Sequence, residues 1–195
     1  MRIGLAVVAG FVVGGSTSPL QTVLPGAVNS LANSGAPWVL VAMALVYWTS
    51  VTGLTAAGLG FVLLAAEVVG YYAVSILRGF DQSVTYIVFW LVAALVFGAV
   101  GGYAAGLMRA GQPSRRLAGL AVPTAVLVGE GAYLATVNPP YGVGAVAVGV
   151  LVGAIGVARM GRTARQRLLA PLGMLVLSAI VFGGIKAAGA AILAG

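Results

Sequence analysis

"PWVLVAMALVYWTSVTGLTAAGLGFVLLAAEVVGYYAVSILR", residues 37–78, is apolar almost without interruption. At roughly 42 residues it is twice the ~20 that one membrane-spanning helix needs. Only "TSVTG" (49–53) offers a turn. One helix or two here sets the parity of every later span, and so which loops share a side of a membrane. Length favours two helices, 37–51 and 54–78.

Composition places the rest of the chain in the same environment. Of 195 residues, 61% are hydrophobic and 7% charged, against about 25% charged in soluble domains. That is too little polar side chain to clothe a water-facing surface. The fold class expected is an all-α membrane protein, a polytopic bundle of about seven transmembrane helices forming a single domain over 1–195. The spans read as 3–18, 37–51, 54–78, 84–108, 117–137, 142–158 and 168–194, with the first broken by Pro19. Arg2, the apolar run 3–15 and "GGS" mimic a signal peptide. With so much apolar chain following, that run reads as a first helix.

The absence of Cys excludes disulfides, thiolate metal sites and Cys nucleophiles. The absence of His removes imidazole ligands and bases as well. No GxSxG or SxxK pattern occurs, so no enzyme, cofactor or metal is expected. Net charge is +7, and seven of the ten basic residues lie in "RAGQPSRR" (109–116) and "RMGRTARQR" (159–167). Neither segment has interleaved aromatics, so the positive-inside rule explains them and nucleic acid is not an expected partner. Both loops follow even-numbered spans, and Arg2 falls on the same side. The N-terminus is therefore expected in the cytoplasm and the C-terminus outside.

Three features of the remaining sequence stay open between readings. Residues 17–38, "TSPLQTVLPGAVNSLANSGAPW", show helical amphipathicity interrupted at Pro25. This suits an interfacial packing segment or a partly re-entrant flap over the outer mouth. Residues 5–26 resemble 120–141 at an offset of 115, where Leu54 also meets Leu169 and Gly58 meets Gly173. That suggests a 3+1+3 repeat with span four as connector. Gly10/Gly14, Gly98/Gly102, Gly102/Gly106 and Gly149/Gly153 are spaced for close helix approach, mostly within the fold and less often at an oligomer face.

The chain has only three acidic residues, and two lie inside apolar runs. Glu67 and Glu130 each fall roughly 20 Å into a span at ~1.5 Å per residue. Charged groups at such depth are paired, face a cavity or carry function. Tyr71 at i+4 from Glu67 and Tyr133 at i+3 from Glu130 are spaced to reach the carboxyl or a shared ligand. Gly129 and Gly131 are expected to keep the surface around Glu130 open. Lys186 lies in the outer half of span seven, where its stem can snorkel or its ammonium pair with a carboxyl. Arg78 and Asp81 read as a local pair at the outer boundary. Trp38, Trp48, Trp90 and several tyrosines read as interfacial belts or packing. A retinal Schiff base at Lys186 is excluded, because span six, "GVGAVAVGVLVGAIGV", has no aromatic wall.

"LANSGAPWVLVAMAL", "LLAAEVVGYYAVSILRG" and "VFWLVAALVFGAVGGYAAG" resemble a group of small bacterial multi-pass membrane proteins of unknown function, over about residues 25–110. The resemblance implies a bacterial cytoplasmic-membrane protein and no particular activity. The coarse shape is also similar to membrane substrate-binding subunits of vitamin transporters. The leading expectation is a transporter, channel or transporter subunit for a cation, amine or polar metabolite. Its site residues are Glu67, Glu130, Tyr71, Tyr133 and Lys186. The alternative is a membrane scaffold that packs partners through glycine-rich faces. Expected partners are the lipid bilayer, a small-molecule or cation ligand, and either a second copy or a transporter partner subunit.

Overall fold

The computed structural model describes the backbone of residues 1–194 and side-chain surroundings to residue 188. It is helical, in the order α1 (Arg2–Val23), α2 (Ser30–Asn33), α3 (Gly35–Thr49), α4 (Gly53–Leu77), α5 (Val84–Ala93), a π-helical turn (Ala94–Gly98), α6 (Ala99–Met108), α7 (Pro113–Leu134), α8 (Pro139–Met160) and α9 (Ala164–Ala194). Among the described residues, six helices are long and apolar enough to cross a membrane, counting α5 to α6 as one, and α3 is a shorter apolar helix. The protein is a multi-pass helical bundle. Its contacts gather into two compact units, Met1–Arg109 and 110–195.

The long apolar run divides at "TSVTG". Ser50 takes a left-handed φ of 67° and Gly53 one of 62°, which stops α3 and restarts the chain as α4. The break expected at Pro19 does not occur, since α1 continues through it to Val23. Irregular backbone in hydrocarbon costs more than the one hydrogen bond that proline forfeits. Helices α7 and α9 begin earlier than the apolar runs and carry Arg115, Arg116, Arg165 and Arg167 in their opening turns. Hydropathy marks the hydrocarbon, and helical hydrogen bonding extends past it.

In the first unit α4 is central, packed on α1, α3 and α6. Its seam with α1 is made of backbone. A methyl group on Gly14 would overlap the Glu67 carbonyl, and one on Gly70 would overlap the Phe11 carbonyl. On another face of α4, Ala56 and Gly60 meet Gly98 and Gly102 equally closely. The π turn ends at Gly98, at that contact. Before it α5 buries no residue; after it α6 buries Gly101, Gly102, Ala104, Ala105 and Gly106. In the second unit α7 packs on α8 and α9. Gly149 and Gly153 of α8 meet Leu127, Val128 and Thr124 of α7. All the glycine pairs singled out in the sequence are thus taken up by packing within a unit.

The packing bears on the 3+1+3 repeat in two ways. First packs on third in both units, as α1 on α4 and α7 on α9. By contrast α7 also lies along α8, whereas α1 meets α3 only briefly. The large apolar side chains left exposed, among them Leu168, Leu172, Leu175, Val176 and Ile180 on α9, suit lipid contact.

The seam makes a direct prediction. Gly14→Ala should destabilise the protein by about 1–3 kcal/mol, the cost of forcing atoms into a filled site. Gly58→Ala, on the same α4 but with nothing within 4 Å, should melt in detergent like the wild type. Equal melting of the two variants would show that the seam is not close-packed.

Candidate functional site

Glu67 is fully buried at the α1–α4 seam. The side chain reaches Gly10, whose missing methyl would stand 3.7 Å from Glu67 Cγ and 3.2 Å from the Leu63 carbonyl. Leu63, Leu64 and Val68 are buried around it. Both carboxyl oxygens lack a hydrogen-bond partner among the described residues. A bare carboxylate in such surroundings would cost several kcal/mol. The group must therefore carry a proton or meet a cation when a ligand or water reaches it.

Tyr71 does not serve Glu67 as its spacing suggests. Its hydroxyl donates to Gln21 Oε1 at 3.1 Å, because the ring turns towards the end of α1 and lies against Trp38, centroids 5.6 Å apart and planes tilted by 58°. Gln21 Nε2 in turn donates to the Ala32 carbonyl at 2.9 Å. Asn29 Nδ2 donates to the Gln21 carbonyl at 2.8 Å. These bonds settle what residues 17–38 form. They are the last turns of α1, a turn at Pro25, the single turn of α2 and the start of α3, pinned to one another as a cap.

Beneath this cap lies a cavity of about 430 Å³ at the end of the first unit where α1 and α4 finish and α3 and α5 begin. Trp38, Tyr71, Tyr72, Tyr86 and Trp90 line it, with Gln21, Asn33, Ser34, Asp81, Gln82 and Ser83 as polar members. Trp38 and Trp90 stand 6.4 Å apart and tilted by 43°. The Trp38 indole nitrogen is buried without a hydrogen-bond partner among the described residues. Glu67 is not part of the lining. At ~1.5 Å per residue it lies roughly one turn of α4 from Tyr71.

Arg78 and Asp81 are not a pair. Arg78 donates to the Ser18 carbonyl, to Ser18 Oγ at 2.9 Å and to Thr22 Oγ1 at 3.2 Å, and its guanidinium lies over Phe80, 5.1 Å from the ring centroid. Ser18 Oγ also accepts from Ser75 at 2.9 Å, so Arg78 closes a polar cluster at the end of the α1–α4 seam. That leaves Asp81 exposed at the cavity, with no partner among the described residues.

Glu130, Tyr133 and Lys186 belong to the second unit, Glu67 to the first. Helix α7 ends at Leu134, so Glu130 sits little more than one turn from the end of its helix, whereas Glu67 is ten residues from the end of α4 at Leu77. Glu130 is half-buried, as is Tyr133. The expected open surface beside it is filled. Gly129 packs against Ser178 and Val181 of α9, and Gly131 against Gly142 and Ala145 of α8. Lys186 is exposed, its ammonium 5.7 Å from the Phe182 ring centroid one turn back. Among the described residues no three of His, Cys, Asp or Glu gather to hold a metal ion.

The chain belongs to the family of unknown function DUF6518. The match spans residues 1–191, well beyond the segment that carries the resemblance in sequence. No curated protein and no solved structure matches the chain. The likeness to vitamin-transporter subunits therefore rests on coarse shape alone, and membership of DUF6518 brings no activity with it.

Sequence reading assigned the cavity aromatics to belts and packing. The available signal was positional: with spans alternating, Trp38, Tyr71, Tyr72, Tyr86 and Trp90 all fall at one end of the first unit. The polar cluster has its own test. Arg78→Met should cost about 1.5–3 kcal/mol, the range for hydrogen bonds to a charged group, while Asp81→Asn should leave detergent melting unchanged. Equal losses from the two would restore the ion pair.

Proposed function

We propose that this protein is a small membrane transporter, or the membrane subunit of one, for a cation, an amine or a polar metabolite, and that it is not an enzyme. One observation carries the reading: Glu67 is fully buried between apolar helices, with neither oxygen partnered among the described residues. Acids inside membrane helices mark ion and proton pathways, and this chain has few acids to place. The cavity at the end of the same unit supports the reading, since solute from water would collect there before meeting the seam. The glycine pairs on which the scaffold reading rested, Gly10/Gly14, Gly98/Gly102, Gly102/Gly106 and Gly149/Gly153, are occupied internally.

Arg2 and Arg109 lie at the end of the first unit opposite the cavity. By the positive-inside rule that end faces the cytoplasm and the cavity faces outward. The N-terminus is then inside and the C-terminus outside a bacterial cytoplasmic membrane. A reporter fused after residue 195 should be accessible from outside the cell, and one in the 109–116 loop should not. A cytoplasmic C-terminus overturns this topology.

The role of Glu67 is tested in proteoliposomes of the full chain loaded with a pH-sensitive dye. External sodium, potassium, tetramethylammonium and choline, none of which crosses a bilayer as a neutral base, are added in turn, with protein-free vesicles as the blank. The wild type should change lumenal pH with at least one of them. Glu67→Gln, which keeps the shape but cannot ionise, should melt normally and lose the response. An unaltered response in that variant makes Glu67 a structural carboxyl, and no response from the wild type removes the cation and amine readings.

A further inference from the structure

We propose that the capped cavity of the first unit is an aromatic cage for a small organic ammonium ion, with Asp81 as its counter-charge. The inference rests on the transport reading for its purpose and names the solute class; its geometry stands independently.

The walls decide the chemistry. Trp38, Tyr71, Tyr72, Tyr86 and Trp90 are drawn from three helices into one concavity. A lipid-facing belt would spread such rings around the perimeter. Their planes are inclined to one another, Trp38 against Tyr71 by 58°, Trp38 against Trp90 by 43°, and Tyr71 against Tyr72 by 76°. Several ring faces can thus address one guest. Ring faces carry negative quadrupole density, and enclosure by aromatic faces is the recurring way to hold methylated ammonium groups. A cavity of about 430 Å³ is within the ~300–1,000 Å³ usual for small-molecule sites.

Charge narrows the class further. Asp81 is the one ionisable acid lining the cavity, and no described residue neutralises it. An anionic guest would meet that carboxylate and the ring faces. A bare metal ion would need several oxygen ligands, and commonly more than one anionic one, in place of its water; the cavity supplies a single carboxylate beside neutral amides and hydroxyls, with Gln21 already bonded to Tyr71 and Ala32. An alkylated ammonium sheds water readily and meets both the rings and the acid. The inner wall is also held in place, since Tyr71 is bonded to Gln21 and Gln21 to the cap at Ala32. Little ordering cost therefore remains to be met on binding.

The test uses the full chain in detergent on a Trp48→Phe background. Trp48 lies at the far end of α3, so the remaining indoles, Trp38 and Trp90, both line the cavity. Tetramethylammonium and choline are titrated against tryptophan fluorescence at constant ionic strength, with sodium chloride and the neutral isostere 3,3-dimethylbutan-1-ol as controls. Both ammonium ions should give a saturable change that neither control gives. Asp81→Asn should weaken binding about tenfold, a 1.4 kcal/mol effect. Tyr86→Leu, at an exposed position, should weaken it severalfold without altering melting. No saturable response, an equal response to the alcohol, or wild-type affinity in both variants overturns the cage. Ammonium binding together with Glu67-independent flux would uphold the cage and remove the transport role of Glu67. Glu67-dependent flux without ammonium binding would do the reverse.

Discussion

Everything in the first unit depends on α1 and α4 touching backbone to backbone. At Gly14, Glu67, Gly70 and Phe11 no side chain stands between the two helices. Lipid tails are as apolar as leucine, so helices in a bilayer gain little from burying apolar surface against each other. Close van der Waals approach takes that part. The same device recurs on another face of α4, where Ala56 and Gly60 receive Gly98 and Gly102. A helix held on two faces by glycines has little freedom to rotate, and its other residues are placed accordingly.

Glu67 is where that placement has a chemical consequence. Its carbonyl is the atom that Gly14 touches, and its side chain runs beside Gly10. The glycines that bring the helices together also exclude the polar side chains that would otherwise satisfy a carboxyl. A larger residue at position 10 or 14 would part the helices and let lipid or water reach the acid. Tight packing and an unpartnered acid are thus one arrangement seen from two sides. Further along the seam polarity returns in order, through Ser18 and Ser75 to Arg78. The hydrogen bonds missing at Glu67 are abundant about three turns later.

The cavity follows from the shortness of α3. Its 15 residues span about 22 Å at ~1.5 Å per residue, less than the ~30 Å of a bilayer's hydrocarbon. The remaining depth is filled by the 24–34 cap, bonded to the end of α1 through Gln21 and Asn29. A cap of single turns cannot pack as densely as a helix, and the rings of Trp38, Tyr71, Tyr86 and Trp90 line the space that remains. The second unit is built otherwise, with α7 packed closely along both α8 and α9.

The sequence by itself determined the class, the number of apolar helices and the break inside residues 37–78, because hydropathy and length are properties of the chain that the bilayer reads directly. It also identified Glu67 as anomalous, since an acid in an apolar run is visible without coordinates. Partnership was not legible. Spacing put Tyr71 within reach of Glu67, yet it bonds Gln21, fifty residues away in sequence. Proximity put Asp81 beside Arg78, yet Arg78 turns to Ser18 and Thr22. Local composition left Gly129 and Gly131 open, and α8 and α9 close on them. In each case an i to i+4 pattern constrains one helix only, whereas a side chain's partner depends on which other helix comes against it. That choice was made by the small-residue contacts of the tertiary structure. They also gathered the aromatics of three helices into a single cavity that no one segment contains.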